Sequence, residues 1–260
     1  NMALFLFPFL HNYMDLTLTY LLSAVLISLI KYSETSKFQE KNNHKSSFKK
    51  DFFDGLYYVY SQKKLVLLIF IGTFPYLLSQ LINSLLGYYT VETLELNVKA
   101  YGILDASFAI GSVFMGVFLI SYINKRFNIE SIISYSYFLM GLGTFIFSIS
   151  NSLLMSIIGL TIIGASILSE STSRKTLFLS LVDESYVGRA ESLSWTIYSS
   201  IPPLIALFST YIAIKIKVGT IFLILSLLLF AVSFYSNKKL VDKRKLISRS
   251  RINESVTKTK

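Results

Sequence analysis

Residues 101–127 read YGILDASFAIGSVFMGVFLISYINKRF. The run is apolar over about the length that crosses a bilayer as a helix, ~20 residues. Small residues at Gly102, Ala106, Ala109, Ser112 and Gly116 would let neighbouring helices approach closely. One carboxylate, Asp105, lies inside its first turns, and a short basic turn, Asn124-Lys125-Arg126, ends it. A charge inside a span is costly and points to function by default. The basic stop marks the cytoplasmic end.

The rest of the chain fits a membrane setting. Of 260 residues, 53% are hydrophobic and only 15% charged, with a mean hydropathy of +0.56. A soluble domain of this size needs more polar surface, so the composition points to an integral membrane protein. There is no cysteine, hence no disulfide and no thiolate chemistry. His11 and His44 are the only histidines, which argues against a histidine metal site. The net charge of +10 lies in the connections between apolar runs, which argues against nucleic acid as a partner. No glycine-rich phosphate loop, Ser/His/Asp arrangement or carboxylate dyad stands out, so neither an enzyme nor a cofactor is expected.

Outward from residues 101–127, apolar segments alternate with polar ones. Met2–Leu10 is apolar but too short to span and lacks the pattern of a signal peptide. It reads as the tail of a helix begun upstream, so the chain is expected to be a fragment or truncated product. Met14–Ile30 is the first full apolar segment, and Asp15 near its start suits the positive end of the helix dipole. Residues 31–64 are polar and basic. They read as a flexible linker followed by a short amphipathic helix from Asp51, whose aromatics and lysines suit a membrane surface. Spans are then expected at 65–86, 100–123, 131–149, 153–169, 191–213 and 218–236. Asn151-Ser152 makes a minimal turn, 170–190 reads as a charged connection, and 237–260 reads as a basic disordered tail.

Charge fixes the orientation. If residues 31–64 are cytoplasmic, that side holds 22 of the 25 lysines and arginines, and the other holds only Lys99, Lys215 and Lys217. The asymmetry supports both the number of spans and the direction, with the N-terminus of the chain outside and the C-terminus in the cytoplasm. The expected setting is a cell membrane, the bacterial plasma membrane, crossed several times.

Six spans after a long basic loop resemble the second half of a major facilitator superfamily transporter. YMDLTLTYLLSAVLISLI (13–30) resembles the sixth helix of its macrolide-efflux-type branch, and DFFDGLYYVYSQKKL (51–65) the amphipathic lead-in to the seventh. YGILDASFAIGSVFMG (101–116) resembles the eighth helix, and LVDESYVGRAESL (181–193) the Gly-Arg segment before the eleventh. Asn124-Lys125-Arg126-Phe127-Asn128 resembles the family's basic turn between helices eight and nine, without its usual Asp and Gly-Arg. The resemblance implies an all-α membrane protein: a six-helix C-terminal half-bundle of the major facilitator fold plus one preceding transmembrane helix. Residues 1–31 would close the N-terminal half as the end of helix five and helix six. Residues 32–64 would be the cytoplasmic linker, 65–236 the six-helix bundle, and 237–260 the tail. The family's substrate cavity lies between two such halves near the midplane, so a missing N-terminal half would supply the other wall.

Candidate site residues follow. Asp105 is either an interfacial carboxylate at the outer mouth or a proton-coupling, cavity-facing one. Gln80 and Asn83, three apart on one helix face, either bond neighbouring helices or line a polar cavity. Trp195 and Tyr198, also three apart, either pack or form an aromatic wall suited to bulky amphipathic molecules. Pro75 and the pair Pro202-Pro203 are kinks or hinges. Arg174, Lys175, Asp183, Glu184, Arg189 and Glu191 form a mixed-charge connection, or ion pairs that hold an inner gate. Gly188-Arg189 is the favoured gate pair, since it matches the family pattern, and Lys125 and Arg126 belong to the family's basic gating turn. The expected function is proton-driven secondary transport, the efflux of drugs such as macrolides or other amphipathic small molecules. The expected partners are the bilayer, the substrate, protons, and the missing half or a partner subunit. The alternative is a non-transporting, half-size membrane protein or remnant that packs with a partner.

Overall fold

A computed structural model describes residues 20–29, 48–118, 122–123, 126–201, 203–205, 208, 211 and 215–241. The chain divides into two units, Asn1–Ser47 and Phe48–Lys260. In the first, residues 20–28 form a helix, α1, with exposed apolar side chains. It lies within the apolar segment expected at Met14–Ile30. The remainder of that segment, Met2–Leu10 and the linker 31–47 lie outside the described residues, as does the tail beyond 241.

The second unit is built of helices, with no strand among the described residues. They are α2 (Phe48–Ser61), α3 (Lys63–Tyr88), α4 (Val98–Phe118), α5 (Ile129–Ser148), α6 (Leu153–Leu181), α7 (Val187–Ser199) and α8 (Val218–Ser236). Among the described residues, five stretches are long and apolar enough to cross a bilayer: Lys63–Thr93, Val98–Phe118, Ile129–Ser148, Leu153–Leu181 and Val218–Leu240. They match five of the six spans expected over 65–236. The sixth, at 191–213, begins in α7 and runs partly outside the described residues.

α6 is the hub. It packs along α4 on one side and α5 on the other, and α5 packs against α8. α3 crosses α6 and touches α7 and α8. Hydrophobic burial does not separate a helix from lipid, so close packing and hydrogen bonds must hold these contacts. At the α4–α6 crossing the backbones touch. A Cβ on Gly111 would lie 2.0 Å from the Thr161 carbonyl oxygen, and one on Gly164 would lie 2.1 Å from that of Phe108. Ser112 Oγ donates to the Gly164 carbonyl at 3.0 Å and Thr161 Oγ1 to that of Ser107 at 3.2 Å. The packed face of α4 is thus Ala100, Leu104, Ser107 and Gly111, while Gly102, Ala106 and Ala109 face outward.

Helix ends are tied by side chains. Ser152 accepts from the Met155 amide at 3.3 Å and starts α6 where the Asn151-Ser152 turn was expected. Tyr89, in the wide turn Tyr89–Thr93 that prolongs α3, places its hydroxyl 3.0 Å from the Phe147 carbonyl oxygen and 2.8 Å from that of Ser150. Its one hydrogen goes to the Ser150 carbonyl, since the Phe147 carbonyl already accepts from the Ser150 amide at 3.3 Å.

The largest departure from the sequence reading is the length of α6. The connection expected at 170–190 is helical as far as Leu181, so Glu170, Arg174 and Lys175 sit on α6 and not in a loop. No glycine or proline follows Gly164 until Gly188 to stop the helix. Two of the segment's serines fold back on the helix: Ser171 donates to the Leu168 carbonyl at 3.2 Å and Ser180 to that of Leu177 at 2.8 Å.

Candidate functional site: a buried ionic cluster beside an aromatic cavity

Glu170 and Arg174 are four residues apart on α6 and so share a face. That face points into the bundle: Glu170 is fully buried and Arg174 is 8% exposed. Arg174 Nε donates to Glu170 Oε1 at 2.8 Å. Taking both charges out of water costs several kcal/mol per ion unless bonds on all sides compensate.

Three neighbouring helices supply those bonds. From α7, the Tyr198 hydroxyl accepts from Arg174 Nη1 at 2.9 Å, and the guanidinium carbon lies 5.2 Å from the centre of the same ring. From α5, the buried Tyr137 places its hydroxyl 2.8 Å from Glu170 Oε1 and 2.7 Å from the Ile71 carbonyl oxygen. α3 contributes that carbonyl, and the sequence explains why it is available. Pro75 stands four residues later and has no N–H to bond it. α3 can approach so closely because residue 72 is glycine. A Cβ there would lie 2.6 Å from the Tyr198 hydroxyl and 2.7 Å from the guanidinium carbon.

A cavity of about 110 Å³ opens beside the pair, lined by Tyr76, Arg174, Lys175, Glu191, Trp195 and Tyr198 among others. Tyr76 and Tyr198 stack at 4.6 Å with planes 10° apart, and Trp195 meets Tyr76 edge-on at 6.2 Å. Lys175 and Glu191 close the cavity's rim with an ion pair of 3.0 Å between α6 and α7. The volume holds a few waters, or the tip of a larger molecule. A wider cleft of about 600 Å³ lies among Tyr88, Glu92, Asn151 and Lys217. It is the larger of the two, but it has no buried charge, and the chemistry sits with the smaller one.

The structure gathers some sequence candidates and separates others. Trp195, Tyr198 and Arg174 meet in this cluster, and Pro75 lies buried next to it in α3. Gln80 is half-buried and Asn83 exposed, further along α3. Asp105 is exposed on α4, outside the cluster. Gly188 and Arg189 are exposed at the start of α7, where the Arg189 guanidinium sits 5.5 Å from the Tyr186 ring centre. There α2 docks: Tyr58 donates to Asp183 Oδ2 at 3.1 Å, accepts from the Asp183 amide at 2.9 Å, and stacks on Tyr186 at 4.2 Å. Arg126 and Pro203 are exposed, and Lys125 and Pro202 lie outside the described residues.

Sequence reasoning missed Glu170, Tyr137, Tyr76 and Gly72. Glu170-x-x-x-Arg174 at helical spacing was the available signal, hidden by reading its segment as a loop.

A multi-pass α-helical membrane protein with a desolvated ion pair beside an aromatic cavity is the architecture of a carrier. Residues 2–227 match the family model described as MFS/sugar transport protein, which covers most of the chain, and the protein belongs to that family of the major facilitator superfamily. The family consists of transporters, not enzymes. Comparison with curated proteins finds no match.

Proposed function

We propose that the protein is a proton-coupled secondary transporter that exports amphipathic small molecules across the cell membrane. In this reading the described bundle is the C-terminal half of the carrier. The observation that carries it is the buried Glu170–Arg174 pair, bonded by tyrosines of α5 and α7, with Arg174 lining the aromatic cavity. Ionisable groups at such a place in a membrane protein mark substrate or proton paths. The macrolide-efflux resemblance of residues 13–30, 51–65 and 101–116 favours export, and the stacked Tyr76, Tyr198 and Trp195 suit a bulky, partly apolar molecule. Outward-facing Ile103, Ile110, Val113, Phe114 and Val117 on α4 leave an apolar surface for lipid or the opposite half-bundle.

The family description favours a second substrate class. A sugar ring stacks on tyrosine and tryptophan faces, and Arg174, Lys175 and Glu191 offer polar contacts. One assay separates the two. The complete gene product in proteoliposomes under an imposed pH gradient is offered macrolides, cationic dyes and mono- and disaccharides. Gradient-dependent movement of the amphipathic compounds, lost in Glu170→Gln, is expected. Sugar movement alone would replace the substrate class, and no gradient-dependent movement of any compound would remove the reading.

A further inference from the structure

We infer that Glu170 is a proton-binding site whose occupancy decides whether the carbonyl freed by Pro75 is hydrogen-bonded. The argument is a count of hydrogens. The Tyr137 hydroxyl oxygen lies 2.7 Å from the Ile71 carbonyl oxygen and 2.8 Å from Glu170 Oε1. A phenol has one hydrogen, and a carbonyl and an ionised carboxylate have none to give. One hydrogen cannot serve both contacts, and all three groups are buried in the bundle.

A proton on Glu170 completes the set. The carboxyl O–H then donates to the Tyr137 oxygen, and Tyr137 donates its own hydrogen to the Ile71 carbonyl. When that proton leaves to water, Tyr137 turns its hydrogen to the carboxylate, since the charge-assisted bond is the stronger. The Ile71 carbonyl then stands bare in a dry helix, because Pro75 has no N–H for it. The Glu170–Tyr137 bond is kept with its donor reversed, so each proton lost from Glu170 costs one hydrogen bond, the one from Tyr137 to α3.

The surroundings allow exchange. Arg174 on the same helix stabilises the ionised form through its 2.8 Å contact, and Tyr198 of α7 holds Arg174 in place. Tyr76 of α3 stacks behind Tyr198, and the Lys175–Glu191 pair lies one turn further on. Among the described residues Glu170 Oε2 has no partner, although it is buried. Proton binding at α6 is thereby linked to the proline break in α3, the helix that also carries Tyr76 of the cavity. The inference depends on the proposed proton coupling for its use in the cell, but its geometry stands apart from transport.

The test needs no substrate. The full chain, purified in detergent, is titrated with pH by infrared difference spectroscopy. One protonated-carboxyl band is expected to change with pH and to be missing in Glu170→Gln. Pro75→Ala supplies an N–H to the Ile71 carbonyl and removes the handicap of the ionised state. Its midpoint should move to lower pH by about half to one unit. In a Tyr137→Phe background the link is cut, and adding Pro75→Ala should leave the midpoint where it was. Pro75→Gly supplies the same N–H and replaces the alanine variant if that does not fold. The inference is overturned if no band belongs to Glu170, if Pro75→Ala leaves the midpoint unmoved, or if the shift is the same without Tyr137. A failed transport assay would remove the proposed function and leave this result standing.

Discussion

Removing one charge from the Glu170–Arg174 pair strands the other in a place without water. Glu170→Met should therefore cost about 3–5 kcal/mol, the usual loss when a buried pair is broken from one side, because Arg174 cannot shed its charge. The double variant Glu170→Met with Arg174→Met should recover most of that loss, because no lone charge remains. Thermal unfolding of the purified protein in detergent would show it as a large drop in Tm followed by a return. Equal loss in single and double variants would mean that packing, not charge, holds the site. Gly72 gives a second check. Gly72→Ala places a methyl group 2.6 Å from the Tyr198 hydroxyl and 2.7 Å from the guanidinium carbon. Overpacking of this kind costs about 1–3 kcal/mol, and here it should also loosen the Arg174–Tyr198 bond. Thermal unfolding in detergent should read that cost as a lowered Tm.

At the scale of elements, the α4–α6 crossing rests on two glycines, and its test is a contrast between faces of one helix. Gly111→Val forces a side chain into the Thr161 carbonyl, so the helices must separate and lose the Ser112 and Thr161 hydrogen bonds. Gly102→Val, on the same helix, meets nothing within 4 Å. The first should lower Tm by several degrees, and the second should stay within about 0.5 kcal/mol of wild type. The crossing also shows what was legible in the sequence. That residues 98–118 form a span with small residues for packing could be read from the apolar run. Which small residues touch could not, since Gly111 and Gly102 differ only in the direction from which α6 crosses. Likewise the Asn151-Ser152 turn was plain, because a polar pair between long apolar runs has one reading. The end of α6 was hidden. Glu170, Arg174 and Lys175 looked like a loop because charge density is the usual mark of one, and only the burial of Glu170 and Arg174 by α3, α5 and α7 makes their charge internal. Asp105 drew attention for the opposite reason: it is the one acid in an apolar run, yet it stands exposed.

At the scale of the whole molecule the question is which end of the bundle faces the cytoplasm. The structure sorts the connections into two ends by contact. The cleft that joins Thr93, Asn151 and Lys217 places the ends of α3 and α5 and the starts of α6 and α8 together. The bonds from Tyr58 to Asp183 place the lead-in to α3 beside the far end of α6. That second end carries Lys63, Lys64 and Arg189, so it is the end that the excess of lysine and arginine along the chain would assign to the cytoplasm in the proposed orientation. Lys175, close to the same end of α6, adds to the excess. Arg174 does not act as a topogenic loop charge, because Glu170 neutralises it inside the bundle. The chain has no cysteine, so single introduced cysteines report position without a background to remove. Thr93→Cys and Asn151→Cys should react with a membrane-impermeant maleimide added to intact cells. Lys64→Cys and Ser180→Cys should react only after the membrane is opened. Labelling of all four from one side would break the five-span arrangement itself, and the mirrored pattern would keep the arrangement but turn it over. The side on which Lys64→Cys and Ser180→Cys react also says which face of the membrane Glu170 lies nearer. That carboxylate lies about 26 Å along α6 from Leu153, at 1.5 Å per residue, and so nearer the end that carries Lys64.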